Sequence, residues 1–158
     1  MASNEKNLSE YSGKNLLNVA EKKFAVVVSE WNEEITDSLY DGVYSTLVEH
    51  GAAKENIIRK NVPGSFELTL GAQWMAAEES VDAVICLGCV IQGETKHFDF
   101  ICEAVAHGLT NVGLKFNKPV IFGVLTPNTR KQALDRAGGK YGNKGDEAAI
   151  TAIKMLGF

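Results

Sequence analysis

Two hydrophobic periods alternate along the chain. Apolar runs rich in β-branched residues stand at "FAVVVSE" (24–30), "NIIRKNV" (56–62), "DAVICLGCVI" (82–91) and "PVIFGVLT" (119–126). The first and third are nearly unbroken, which predicts strands covered on both faces rather than half-solvated ones. Between the runs the period turns helical. Ile35, Leu39, Val43 and Leu47 recur at every fourth position within 32–50 and make one stripe. Asn32 is the expected N-cap, Glu33 and Glu34 favour the positive end of the helix dipole, and Gly51 is the expected stop. Pro63-Gly64 breaks the second strand, and Ser65 is expected to open a helix running to about Glu79. A helix over 97–116 carries Ile101, Val105, Leu109 and Val112 on one side. "NTRKQALDRA" (128–137) reads as a short helix capped by Asn128, "GGKYGNKG" as a glycine-rich turn, and "DEAAITAIKML" (146–156) as a final amphipathic helix.

Strands alternating with helices predict right-handed βαβ units. The expected class is α/β, with one parallel sheet and helices on both faces. No repeat or linker divides the 158 residues, so a single domain is expected over 16–158. "LLNVA" (16–20) is expected to add an edge strand, and the polar stretch 1–15 to be a flexible tail.

Composition narrows function more than fold. Charged residues are 23% and the net charge is −4, without the basic excess of a general nucleic-acid binder. No stretch is long and apolar enough to span a membrane, and the first residues lack a signal-peptide apolar core, so a cytoplasmic protein is expected. There are three cysteines, and Cys86 and Cys89 form a C-x-x-C spacing. They sit inside a strand pattern with no second Cys or His pair to complete a zinc site, so buried free thiols are expected and no metal.

In open α/β sheets, ligands bind beyond the carboxyl ends of the strands. "SEWNEE", "VPGSFE", "CVIQGETKHFD" and "FGVLTPN" follow the four strands and should share one edge. Gly93-Glu94-Thr95 precedes a helix and can hold an anion with its N–H groups and the Thr95 hydroxyl, or can be a plain capping turn. The turn lacks the G-x-x-x-x-G-K-[ST] spacing of a P-loop, and no G-x-G-x-x-G follows the first strand, which argues against a dinucleotide site. His97 at a helix start suits a proton shuttle, or is an ordinary surface residue. His50 and His107 have no clustered polar partners in the pattern. Trp31 directly after a strand can stack on a planar ring or cover the core edge. Ser65-Phe66-Glu67 offers a hydroxyl, an apolar wall and a carboxylate, or a helix start. Arg136 in the last turn of a helix, and Lys140 and Lys144 beside glycines, also have ordinary structural readings.

The combination is more specific than its parts. "GSFELTLGA", "GCVIQGETKHFDFIC", "FGVLT" and "ALDRAGGKYGNKGDEAA", in this order and spacing, resemble the lumazine synthase family of riboflavin biosynthesis from about Phe24 to the end of the chain. The resemblance implies a three-layer α/β/α sandwich around a four-stranded parallel sheet of flavodoxin-like topology. It implies condensation of 5-amino-6-(D-ribitylamino)uracil with 3,4-dihydroxy-2-butanone 4-phosphate to 6,7-dimethyl-8-ribityllumazine, with release of phosphate and water and without a cofactor. It assigns ring stacking to Trp31, ribityl contacts to Ser65, Phe66 and Glu67, and the uracil edge to the backbone of Cys89, Val90 and Ile91. Glu94 (through its N–H) and Thr95 match the phosphate contact, Arg136 its guanidinium partner, and His97 the proton-transfer residue. Phe122 and Lys144 match further substrate contacts, with Phe122 and Arg136 supplied by a neighbouring subunit.

The family forms homopentamers, which in many members close into a hollow icosahedral shell that can enclose riboflavin synthase. The short "GGKYGNKG" turn resembles the shell-forming type, and "LLNVA" is a candidate strand for a neighbour's sheet. Two positions depart from the family pattern. Trp31 stands where Phe is common, and Gln92 where Arg is frequent. A flavin-binding module and a purely structural shell protein are the rival classes. The first predicts stoichiometric ligand binding without turnover, the second assembly without ligand.

Overall fold

The computed structural model describes residues 16–158. The expected flexible tail, 1–15, lies outside the described residues. Phe24–Ser29 (β1), Ile57–Val62 (β2), Ala83–Cys89 (β3) and Val120–Leu125 (β4) form one sheet in the order β2-β1-β3-β4. Every pairing is parallel. The two inner strands are buried at each position, while the edge strands β2 and β4 carry exposed residues. That contrast explains why the unbroken runs fall at the centre.

Alternation along β1 divides the core in two. Phe24, Val26 and Val28 face α1 (Glu33–Glu49) and α5 (Lys144–Leu156), meeting Ile35, Leu39, Val43, Ala149 and Ile153. Ala25 and Val27 face α2 (Leu68–Ala77) and α3 (His97–Phe116), meeting Leu68, Ala72, Val105 and Leu109. Each fully buried Leu, Ile or Phe contributes about 1.5–3 kcal/mol. The result is an α/β/α sandwich of flavodoxin-like topology. From β1 the chain steps outward to β2, then returns across β1 to β3. The carboxyl ends of β1 and β3 therefore diverge, which opens a crevice between them.

Several local expectations are corrected. Residues 16–20 form no strand in this chain: Val19 is buried, but the Asn18 side chain accepts from the Ala20 N–H (3.0 Å), which makes a local turn instead of a ladder. Ser65 opens a single 3₁₀ turn, Ser65–Glu67, before α2 begins, and α2 stops at Ala77. The short helix α4 (Arg130–Asp135) is capped by Thr129, not Asn128. Thr129 Oγ1 accepts from Gln132 N, and Gln132 Oε1 accepts from Asn128 N, one residue ahead of the cap, so the two side chains bracket the helix start in the manner of a capping box. The glycine-rich turn is a small antiparallel hairpin, Ala137–Gly139 (β5) with Gly142–Asn143 (β6). Gly138 and Gly142 take φ of 96° and 77° there, which favours glycine. The last helix starts two residues early, at Lys144, because Asn143 caps it by accepting from Gly145 N (2.7 Å).

Candidate active site

The crevice between β1 and β3 is a cleft of about 700 Å³. Its first wall follows β1. Glu30 N–H and Trp31 N–H donate to Val62 O (2.8 Å) and Pro63 O (3.2 Å), which stitches this turn to the end of β2. Trp31 lines the cleft and remains 74% exposed. Asn32 stands at the N-cap of α1, as expected, and its carbonyl accepts from Ile35 N and Thr36 N, but its side chain makes no capping hydrogen bond. Its backbone is left-handed and its Nδ2 donates across the crevice to Cys89 O (2.9 Å).

The second wall is the 63–67 turn. Phe66 and Glu67 are exposed on the cleft, whereas Ser65 is buried beneath them. Among the described residues, Ser65 Oγ is the buried side-chain oxygen without a hydrogen-bond partner. An unpaired buried hydroxyl costs about 1–3 kcal/mol, and Ser65 carries that cost at the wall of the cleft. A Cβ on Gly88 of β3 would fall 2.7 Å from that oxygen, so the glycine makes room for it.

The third wall continues β3. Val90 N–H donates to Leu125 O (2.8 Å) and Gln92 N–H to Pro127 O (2.9 Å), both toward β4. Strand alternation turns the N–H and C=O of the intervening Ile91 the other way, toward the cleft it lines. Burial pushes the Cys89 thiol up to about 11, partly offset by the charge of Arg130, and burial also raises Cys86 and Cys102. Burial thus keeps both thiols of the C-x-x-C pair protonated near neutral pH, which makes them poor nucleophiles.

His97, the first residue of α3, lines the cleft and is exposed. Its N–H donates to Thr95 Oγ1 (3.4 Å), which fixes the turn ahead of the helix. The cleft thus gathers Trp31, Ser65, Phe66, Glu67, Cys89, Val90, Ile91 and His97, all expected site residues. Glu94 and Thr95 are exposed in the turn before α3, outside its lining. Phe122 lies half-exposed on edge strand β4. Arg136 caps the end of α4 with its guanidinium 5.4 Å from the Tyr141 ring, and Lys144 Nζ donates to Glu147 Oε2 (2.9 Å). None of these three lines the cleft of its own chain. Asn32, Pro63, Gly64 and Ile101 line it without having been singled out. The position of Asn32 beside Trp31 was a usable signal, masked because Asn followed by two glutamates reads as a helix cap.

A broad indole face, strand-end amide groups, an orphaned hydroxyl and a rim imidazole suit a planar heterocycle carrying a hydroxylated chain. The profile of the 6,7-dimethyl-8-ribityllumazine synthase family matches residues 21–158. A 6,7-dimethyl-8-ribityllumazine synthase of Cytophaga hutchinsonii is 67% identical over 156 residues, 99% of this chain and 98% of the relative. Those of Parabacteroides distasonis and Porphyromonas gingivalis are 52% and 48% identical over 158 residues, covering 100% of this chain and 99% and 98% of the relatives. On the match of profile, relatives and fold, this chain belongs to the 6,7-dimethyl-8-ribityllumazine synthase family.

Proposed function

We propose that the β1–β3 cleft condenses 5-amino-6-(D-ribitylamino)uracil with 3,4-dihydroxy-2-butanone 4-phosphate. The product is 6,7-dimethyl-8-ribityllumazine, made for riboflavin biosynthesis. The observation that carries the reading is that one cleft brings together Trp31, Ser65–Glu67, the Cys89–Ile91 backbone and His97. Trp31 stacks on the pyrimidine ring, and Ile91 offers its edge a donor and an acceptor. Ser65 and Glu67 take hydroxyls of the ribityl chain beside Phe66. The Glu94 N–H and Thr95 take the phosphate at the positive end of α3. His97 moves protons during imine formation, phosphate loss and ring closure, while orientation of the two substrates supplies much of the rate.

The site is completed by a neighbour. Phe122, Arg136 and Lys144 have substrate roles in the family pattern yet stand away from the cleft of their own chain. Phe66, Leu70 and Trp74 form an exposed apolar stripe at helical spacing across the 3₁₀ turn and α2. A second subunit packed there would cover the stripe and present Phe122, and the Arg136 guanidinium would reach the phosphate. The assembly is a homopentamer that closes into an icosahedral shell with room for riboflavin synthase, in the cytoplasm. For residues 16–20 to add a strand to a neighbour's sheet, the turn at Asn18–Ala20 and the buried Val19 would first have to leave their own chain. No helix among the described residues is long and apolar enough to cross a membrane, in keeping with that location.

The test is the fluorescence of the lumazine product from purified protein and both substrates, against a protein-free blank. Many turnovers above the blank are expected. No excess over the blank from a folded, assembled protein would leave a ligand-binding module or an inert shell.

A further inference from the structure

The pairing of β1 with β3 stops at Val28 opposite Leu87, because the chain then turns away into α1. Beyond it, the Cys89 carbonyl points to where a longer β1 would have supplied an N–H. Asn32 supplies one from its side chain, Nδ2 to Cys89 O at 2.9 Å. A carbonyl only accepts, so this contact fixes which end of the amide faces it. Asn32 holds φ 64° and ψ 44°, a left-handed backbone that is unfavourable for a residue with a Cβ, although asparagine tolerates it best. It also forgoes the capping bond open to it at the start of α1. On the opposite flank, the same turn is pinned by Glu30 N and Trp31 N to Val62 O and Pro63 O. Past Cys89, the next backbone groups turned to this side are those of Ile91, inside the cleft.

We propose that Asn32 is a positioning residue that closes the β1–β3 ladder at Cys89. In doing so it sets Ile91 as the rung against which the edge of a planar pyrimidinedione docks, beside Trp31. This stands on the function proposed above. Without the amide, Cys89 O becomes a competing acceptor one rung too deep, and the Trp31 turn loses its lateral anchor.

Asn32→Gly tests the idea cleanly, since glycine adopts the same backbone without penalty and removes only the amide. Asn32→Asp keeps the shape and presents an oxygen to Cys89 O. The KM for the pyrimidine should rise about 10-fold in Asn32→Gly, and further in Asn32→Asp. The KM for the phosphorylated butanone should stay within about 2-fold, because that end of the site is untouched. A pyrimidinedione lacking the 5-amino group cannot condense. Its affinity, read from Trp31 fluorescence in a Trp74→Phe background, should weaken by the same factor. Unchanged pyrimidine KM and affinity in Asn32→Gly would overturn the proposal. So would an equal rise in both KM values, the signature of a merely structural role. Failure of the wild type to condense its substrates would sink the proposed function alone. The fluorescence titration still decides Asn32 in that case: weaker pyrimidinedione binding in Asn32→Gly upholds the docking role and unchanged binding ends it.

Discussion

At the mouth between β1 and β3, polar groups are left over. Ser65 Oγ is buried without a partner, Trp31 spreads an indole into solvent, and Asn32 accepts an unfavourable backbone to reach Cys89. At the seam where α1 meets the β5–β6 hairpin and α5, the polar groups are engaged with one another. Ser38 Oγ donates to Ala137 O (2.6 Å), and Asn143 Nδ2 donates to Ser38 O (2.8 Å) while its Oδ1 accepts from Gly145 N (2.7 Å). Lys144 pairs with the nearly buried Glu147, and Gly145 lies so close to Leu39 that a Cβ would run into its carbonyl oxygen. Both regions carry distinctive motifs of the family. What separates a site from a joint is whether its polar atoms are already answered within the chain. Lys144 is the residue on which the two meet, since reaching a substrate would require it to leave Glu147.

The seam should break hardest. Gly145→Ala is expected to lose more than about 3 kcal/mol in urea unfolding, because backbone on both sides must move. An unchanged midpoint would show that α1 and α5 do not approach this closely. At the mouth the effects should fall on turnover instead. His97→Ala should slow condensation about 10²-fold while stability moves by less than about 0.5 kcal/mol. Total loss of activity in a folded, assembled variant would contradict a reaction driven largely by orientation. Arg136→Ala should raise the KM for the phosphorylated substrate about 10-fold or more and spare that for the pyrimidine. An unaltered KM for the phosphate-bearing partner would remove Arg136 from the site.

Ser65→Ala sharpens the contrast by its sign. Deleting an unpaired buried hydroxyl should leave stability level or raise it by about 1 kcal/mol, yet weaken the pyrimidine substrate. A drop in thermal midpoint would mean that the hydroxyl is engaged within the fold. The smallest effect belongs to a surface pair remote from both regions. Burial tends to raise the Asp82 carboxyl, but the Lys23 N–H and the Lys22 ammonium outweigh it and hold it below the ordinary 3.8. A carboxyl lowered on folding stabilises above 3.8, and that stabilisation is lost as pH falls through the folded value. Asp82→Asn should therefore weaken the fold by less than about 1 kcal/mol at pH 7, with the deficit shrinking in acid. A deficit independent of pH would point to geometry rather than charge.

The strands were legible because burial on both faces leaves few ways to write them. The runs at 24–30 and 82–91 became Phe24–Ser29 and Ala83–Cys89. The convergence of Trp31, Ser65 and Cys89 was legible too, because a parallel sheet delivers its carboxyl ends to one edge. What escaped depended on where a side chain points. Asn32 before Glu33-Glu34 carries the signature of a helix cap, and nothing local announces that its amide turns across to another strand. Thr129 with Gln132 spelled out a capping box, but the adjacent Asn128 competed for the role. The β5–β6 hairpin is built from glycines, whose strand propensity is poor, and it forms because their backbone freedom meets a waiting surface on α1.

The thiol of Cys89 bears on chemical selectivity. With its proton held up to about 11, it is almost entirely unionised at neutral pH, and the residue is 1% exposed although its backbone borders the cleft. A thiolate fraction on the order of 10⁻⁴ leaves it a feeble nucleophile. A ketone entering the cleft would therefore not be intercepted by the cysteine at its wall. The amine of the co-substrate thus meets no competitor from sulfur, because the thiol is both protonated and packed into the core behind the strand.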